Sequence, residues 1–535
     1  MIRINQIKLP VCHTTAQLDQ KIARILKRSD RDEFTYEIAK RSIDARKKPE
    51  VYYVYTVDVT IKRESELKQK IKDKNVSFVS PKQYLLPQSA GIFTKKPVIV
   101  GTGPCGLFCA YTLLAAGIPS ILLERGRPVE ERSLDVERFW QGGALAPSSN
   151  VQFGEGGAGT FSDGKLNTLV KDACGRSRFV LETFVKFGAP EHIRFEAKPH
   201  IGTDILMTIM QNMRWYMSAR GVEYRFHSCM TDYRSVGGKL AGVEINHSEW
   251  LDTDCMVLAI GHSARDTFRM LRDKQELAMA AKSFAVGFRV EHPQREISIG
   301  QYGERYWGEL PPAAYKLTAN FPDGRGVYSF CMCPGGYVVN ASSEPGYLAV
   351  NGMSYSARDG ANANSAIIVT VTPEDFDAAD GALGGVAFQE RLEQAAFALG
   401  GGKIPQQLFG DYCANLPSVR YGSFESCHKG AALLCNLRGL LPEQLEETFI
   451  RGMKEFSHHM SNYDRNDAIL SAIETRTSSP VRIGRGERFM AKVRGIYPGG
   501  EGAGYAGGIM SAAMDGMKIA EAIVANGVEE NYIRS

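Results

Sequence analysis

Residues 96–126 read KPVIVGTGPCGLFCAYTLLAAGIPSILLERG. A short apolar run ends in a glycine turn, apolar spacing predicts a helix from about Cys105 to Ala116, and a second apolar run predicts a strand ending at Glu124. Strand, turn, helix and strand make one βαβ unit. Gly101, Gly103 and Gly106 form GxGxxG. The first glycine permits the tight turn, the second lets backbone approach a pyrophosphate, and the third lets helix and strand pack closely. Phosphates then lie at the start of a helix opened by Pro104 and Cys105, where free N–H groups meet negative charge. Glu124 stands 23 residues after Gly101, where a carboxylate can accept hydrogen bonds from ribose hydroxyls, and Arg125 and Gly126 follow it. The unit therefore predicts a bound dinucleotide, contacted by these eight residues.

At 535 residues the chain is too long for a single core, so two or three domains are expected. The composition is that of a globular protein, without low-complexity tracts or short repeats. No apolar stretch has the length of a membrane span and the first residues do not resemble a secretion signal. Eleven cysteines without close spacing suit reduced thiols, so a cytoplasmic protein is expected. Net charge is only +4, but residues 1–90 hold 19 Lys/Arg against 11 Asp/Glu, a net +8 that leaves −4 for the remainder. The N-terminal segment is an electrostatic object of its own.

That segment reads as a small α+β module, with a strand over 2–9, a helix over Ala16–Leu26 and a strand over Val51–Ile61. A basic stretch over Lys68–Lys74 and a connector over Pro81–Pro97 follow. Residues 221–261 read as short strands joined by a Gly-Gly turn and closing on an apolar strand that stops at Gly261. Residues 275–475 form a mixed block without a second nucleotide fingerprint. The last glycine-rich run enters a helix over Ile509–Ala525 that is expected to end at Gly527 in the left-handed region. The expected domains are 1–90, 91–274, 275–475 and 476–535, the second and fourth forming one discontinuous unit.

Within VQFGEGGAGTFSDGKL, residues 151–166, four glycines at 154, 156, 157 and 159 exclude regular structure. Close approach to a planar ring gives such a run a purpose, and marks Gly157, Gly159 and Thr160 as contacts. It resembles the loop that passes the isoalloxazine of several flavoproteins. VLAIGHSARDT resembles the flavoprotein return strand that brings Gly261 to the cofactor. Gly499, Gly500 and Glu501, followed by the helix from Gly508, resemble the segment that sets a carboxylate on the ribityl chain and a helix start at the flavin.

With FCMCPGGYVVNASSE, ETRTSSPVRI and YPGGEGAGYAGGI, these runs make the chain resemble, nearly end to end, the bacterial family of uncharacterised FAD-dependent dehydrogenases, also called NAD(FAD)-utilising dehydrogenases, within the glutathione-reductase-like superfamily. The resemblance implies an α/β fold: a Rossmann-like FAD-binding domain of discontinuous segments, a mixed α+β substrate or cap domain, and the N-terminal module. It implies FAD, NAD(P)H as a transient donor, and oxidation or reduction of a small molecule. It assigns no substrate and no catalytic residue. Residues 275–475 lack the second GxGxxG of the disulfide reductases, their CxxxxC pair is absent too, and Glu501 replaces the Asp of many relatives.

Two other readings stay open: a nucleic-acid-associated flavoprotein, such as a tRNA-modifying enzyme with the basic module as its RNA arm, and a flavin-bound protein without turnover. Cys331 and Cys333 form CxC before a Pro-Gly-Gly turn; two small residues on one strand face are expected over a redox pair. Arg476 and Arg482, flanking Ser478, Ser479 and Pro480, could hold a substrate carboxylate or pair with acids. His262 and His428 are expected to be structural, since no spacing around them makes a metal site.

Overall fold

The computed structural model describes residues 1–28, 34–62, 64, 67–68, 71–80, 83–88, 93 and 95–534. Gly91 and parts of the expected connector and basic stretch lie outside these residues.

Strands Val98–Val100, Ile121–Leu123 and Met256–Leu258 consist wholly of buried apolar residues. Such strands suit a parallel sheet covered on both faces. They join Glu223–Arg225 and Ile496–Pro498 in a five-stranded parallel sheet, ordered from Ile496–Pro498 through Met256–Leu258, Val98–Val100 and Ile121–Leu123 to Glu223–Arg225. The chain leaves Val98–Val100 toward one neighbour and adds the other from a distant segment. This makes a topological switch point, where α/β sheets place a ligand beyond the carboxyl ends of the strands. Helices Pro104–Ala115 and Ile509–Arg534 pack together against the sheet. The second continues through Gly527 to Arg534, not stopping as expected; a lone glycine costs only about 1 kcal/mol inside a helix, too little to end one of 26 residues.

Between Glu223–Arg225 and Met256–Leu258 the chain makes a three-stranded antiparallel meander, turning at Gly237 and Gly238. The block expected to form the cap, and called the cap below, is built on a seven-stranded mixed sheet, with Phe284–Pro293, Asn362–Val371 and Ile469–Glu474 at its centre. The largest apolar cluster lies here, under helix Glu443–His459. Strands Met279–Ala281 and Val481–Ile483 pair antiparallel where the chain enters and leaves the cap.

The N-terminal module is an antiparallel four-stranded sheet with helix Thr15–Ile25 on one face. Its edge strand Phe34–Lys47 had no counterpart in the sequence reading. An edge strand carries charge against unwanted pairing, and Lys40, Arg41, Arg46 and Lys47 hide the strand's alternation.

Candidate functional site

The carboxyl ends of Val98–Val100 and Met256–Leu258 open into a cleft of about 350 Å³, within the roughly 300–1,000 Å³ of ligand pockets. Gly101 forms its floor with φ of 100°; a Cβ there would stand 2.3 Å from the Ala259 carbonyl oxygen. Helix Pro104–Ala115 starts without a side-chain cap, which leaves its first N–H groups facing the cleft. The long C-terminal helix comes close enough that a Cβ on Gly516 would lie 2.0 Å from the Cys105 carbonyl oxygen.

Glu124 lines the cleft, but its carboxylate also fastens the surrounding turns. One oxygen accepts from Thr102 N at 3.1 Å and Thr102 Oγ1 at 2.6 Å, the other from Gly126 N at 2.9 Å and Gly154 N at 3.0 Å. Beside it Arg125 lies over the Phe153 ring at 4.3 Å and pairs with Asp266 at 2.9 Å.

The glycine loop after Asn150 is held by Arg132, a fully buried residue on helix Val129–Trp140. Its guanidinium donates to the carbonyls of Asn150, Val151, Gly154, Glu155 and Gly157 at 2.7–3.3 Å. Burial lowers its pKa to about 10. Glu155, also fully buried, accepts from Val129 N and Arg214 Nη1 at 2.9 and 3.0 Å, and burial raises its carboxyl to about 7. The loop is irregular as expected, except for one 3-10 turn over Ala158–Phe161.

Across the cleft, His262 Nδ1 lies 3.3 Å from Glu501, while its Nε2 is buried without a hydrogen-bond partner. Arg476 lines the wall but is committed to the cap: it makes two bonds to Glu393, at 3.0 and 2.9 Å, and others to Ser263 and Ser343. Arg265 grips the same Glu393 from the helix Arg265–Lys274. Burial alone would raise the Glu393 carboxyl; Arg476 and Arg265 bring it down to about 2. These ion pairs join cap to sheet domain. Arg482 lies outside the cleft, over the Tyr505 ring at 4.2 Å.

The cap side contributes Phe330, Cys331, Asn351 and Glu474, and the glycine loop contributes Asp163 and Lys165. Asp163 is buried among Lys165 at 3.3 Å, Arg358 at 2.6 Å, His200 at 3.8 Å and Ser354. Burial and these cations lower His200 to about 4, keeping it neutral near pH 7.

Of the sequence-derived contacts, Gly101, Gly103, Pro104, Cys105, Glu124, Arg125, Gly157, Gly159, Gly261, Gly500, Glu501 and Gly508 all line this one cleft. Gly106, Gly126 and Thr160 stand behind it: Cβ atoms on the two glycines would meet the Gly101 carbonyl oxygen at 2.0 Å and Gly154 Cα at 2.6 Å, and Thr160 is buried. His428 is away from the cleft, with Nδ1 3.1 Å from Ser426 Oγ. The CxC pair departs from the simple strand-face reading, because Cys331 reaches the cleft wall while Cys333 is buried behind it. Arg132, Asp163, Lys165 and Glu474 went unread. Asp163, Lys165 and Glu474 were signalled only by charge within glycine-rich or apolar surroundings, and Arg132, among the charges of VEERSLDVER, by nothing.

Gly261, Gly507 and Gly508 have no protein atom within 4 Å of where a Cβ would stand, and Gly103 has only Gly157 Cα at 3.9 Å. These glycines leave open space on the cleft side, unlike Gly101, Gly106 and Gly516, whose missing side chains make room for neighbouring backbone. Among the described residues no cluster of three or more His, Cys, Asp or Glu could hold a metal, and no helix is long and apolar enough to cross a membrane.

Residues 283–477 match the family described as "FAD-dependent protein, C-terminal domain-like", and residues 1–60 match a domain of unknown function. Among solved structures, the flavin-dependent brominase Bmp2 is 13% identical at a TM-score of 0.37, covering 81% of this chain and 79% of its own. The glycerol-3-phosphate dehydrogenase from Bacillus halodurans, complexed with FAD, is 12% identical at 0.35, covering 81% and 65%. An uncharacterized protein of Clostridium beijerinckii is 45% identical over 529 residues, 98% of each chain. The chain belongs to the family of that Clostridium beijerinckii protein, and its residues 283–477 are similar to the FAD-dependent protein C-terminal domain.

Proposed function

We propose that the cleft binds FAD and that the chain is an FAD-dependent dehydrogenase of a small polar molecule, within the uncharacterised FAD-dependent dehydrogenase family it resembles, with NAD(P)H as a transient electron donor. The observation that carries this reading is convergence: segments near 101, 124, 157, 261, 501 and 508, distant in sequence, line one cleft at the switch point of a parallel sheet. Gly101–Cys105 would hold the pyrophosphate, Glu124 and Arg125 the adenosine, Gly500 and Glu501 the ribityl chain. Gly157, Gly159 and Gly508 would flank the ring.

FAD supplies the exchange of two electrons. The protein's part is orientation and charge: the start of the helix at Gly508 presents a positive dipole end to the cleft. Asp163, Lys165, Asn351 and Glu474 make the substrate end polar, which suits a hydrogen-bonding substrate. The RNA-arm reading is less favoured, because Arg41 and Lys48 of the basic module are engaged by Glu196 and the Gly300 carbonyl of this same chain.

Chromatography of flavin released from the purified protein tests the cofactor. FAD is expected, and a predominance of FMN would remove the assignment. Stopped-flow bleaching by NADH or NADPH then tests the donor; tightly held stoichiometric NAD would contradict transient use, since residues 275–475 offer no second fingerprint.

A further inference from the structure

Strand Gly326–Cys333 carries a thiol pair that the cofactor reading leaves without a task. Consecutive side chains of a regular strand point to opposite faces, yet Phe330 and Cys331 both line the cleft. The pairing register with Asn362–Val371 shifts between Phe330 and Cys333, and Cys331 has a left-handed φ of 44°. Residues other than glycine hold that conformation only where their surroundings impose it, often at functional sites.

Arg289 imposes it. Fully buried, it donates through Nη1 to the Cys331 carbonyl at 2.9 Å and reaches Cys333 Sγ at 3.7 Å, while Glu474 and Asn351 hold its other nitrogens. Cys333 Sγ lies 3.2 Å from the Cys331 carbonyl oxygen. Residues two apart on a strand stand about 6.6 Å apart, two rises of about 3.3 Å, inside the roughly 4.4–6.8 Å that a disulfide spans.

The two sulfurs differ in character. The neighbouring Cys333 thiol lowers the pKa of Cys331, helped by the Arg289 guanidinium and the Lys165 ammonium against burial. Burial raises that of Cys333. Cys331, on the cleft wall, is thus the readier nucleophile, and Cys333 behind it holds its proton more tightly.

We propose that Cys331 and Cys333 are a redox-active dithiol that exchanges with a low-molecular-weight disulfide entering the cleft. The Cys331 thiolate attacks one sulfur of R–S–S–R, forming Cys331–S–S–R as the R–S–S–R bond breaks and RS⁻ departs to take up a proton. Cys333 then gives up its proton and attacks Cys331 Sγ. The internal disulfide forms, and the second RS⁻ leaves with that proton. In sum, one disulfide and two cysteine thiols give two RSH and one Cys331–Cys333 disulfide. Return of electrons to that disulfide from reduced FAD rests on the function proposed above; the exchange itself does not.

The full-length protein is treated with hydroxyethyl disulfide at mildly acidic pH, quenched with acid and mapped by mass spectrometry. Tryptic peptide 326–358 contains Cys331 and Cys333 and no other cysteine, and exposed Cys12, Cys174 and Cys413 serve as references. The peptide is expected to become lighter by two hydrogens about tenfold faster than the references are modified. Cys333→Ser is expected to accumulate the mixed disulfide at Cys331, whereas Cys331→Ser should leave Cys333 free. Modification of Cys331 no faster than the references, or a lasting mixed disulfide in the unsubstituted chain, overturns the proposal. The readout is mass, so a protein that proved to carry FMN would lose the cofactor assignment without deciding the exchange, and the unsubstituted chain decides it even if a variant fails to fold.

Discussion

Arg132 shows how much of a binding loop can depend on one side chain outside every motif. Its five carbonyl acceptors lie in residues 150–157, so Arg132→Met leaves these buried acceptors unmade, with Arg214 the cation that remains on Glu155. A loss of about 3–5 kcal/mol is expected, read as a lower Tm together with less flavin per chain; Arg132→Lys should recover only part, since one ammonium cannot span both ends of the loop. Normal flavin content in Arg132→Met would show that the loop does not need its clamp. Glu291 gives a second residue-scale expectation. It is fully buried, accepts from Asn362, Ser426 and Cys427 N, and burial raises its carboxyl to about 7 from 4.5. Between those values the folded chain keeps a proton that the unfolded chain has lost, so this group's contribution to stability falls as pH rises from about 4.5 to about 7. Glu291→Gln has no such dependence, and its Tm relative to the unsubstituted chain should rise from pH 5 to pH 8 by the equivalent of about 2–3 kcal/mol. A difference that stays constant or shrinks would show that Glu291 titrates normally.

At the scale of elements, what could be read in the sequence was what local chemistry dictates. The 96–126 unit announced itself because three glycines, an apolar strand on either side and a terminal acid each have a separate physical reason. Strand Phe34–Lys47 did not, since charge on an edge strand masks the period of two. Gly527 misled because a stop signal in isolation is only a weak preference inside a long packed helix. The site was legible wherever glycine lets backbone approach a ligand, and illegible where a charged side chain reaches in from another element, as Arg132 and Glu474 do. This contrast makes a testable pair within one helix and the turn before it. Gly516→Ala puts a methyl 2.0 Å from the Cys105 carbonyl oxygen and must separate two helices, so a stability loss of roughly 1–3 kcal/mol is expected. Gly508→Ala meets no protein atom within 4 Å and should leave Tm of the flavin-free protein unchanged while weakening flavin retention. Thermal melting and flavin titration separate the two; equal effects on both readouts would mean that open space at Gly508 is not ligand space.

Across the whole molecule, the basic N-terminal module is joined to the rest through contacts of several kinds. Val51 is buried in the cap's apolar cluster, with Ile43 and Tyr53 packed against it. Arg41 N donates to the Phe195 carbonyl at 2.6 Å and Ala197 N to the Arg41 carbonyl at 2.8 Å. The Arg41 guanidinium bonds Glu196 through Nε at 2.8 Å and lies over the rings of Tyr53 and Phe195. The net +8 of residues 1–90 thus faces a remainder of net −4, and a charge that meets its partner inside the molecule is less available to an external polyanion. If the Arg41–Glu196 pair orients the module, Arg41→Glu should destabilise the full-length protein, and Glu196→Arg alone should do the same. Their combination should restore part of the loss, with a coupling of about 1 kcal/mol because the pair is only partly buried. Flavin content should stay normal in all three, since neither residue lines the cleft. Melting at low and high salt checks the origin of the coupling: an ion pair at the surface weakens as salt rises, whereas packing of Val51 and Tyr53 does not. Strictly additive losses, unchanged by salt, would assign the attachment to the apolar contact and backbone bonds alone and leave the module's charge free for another partner.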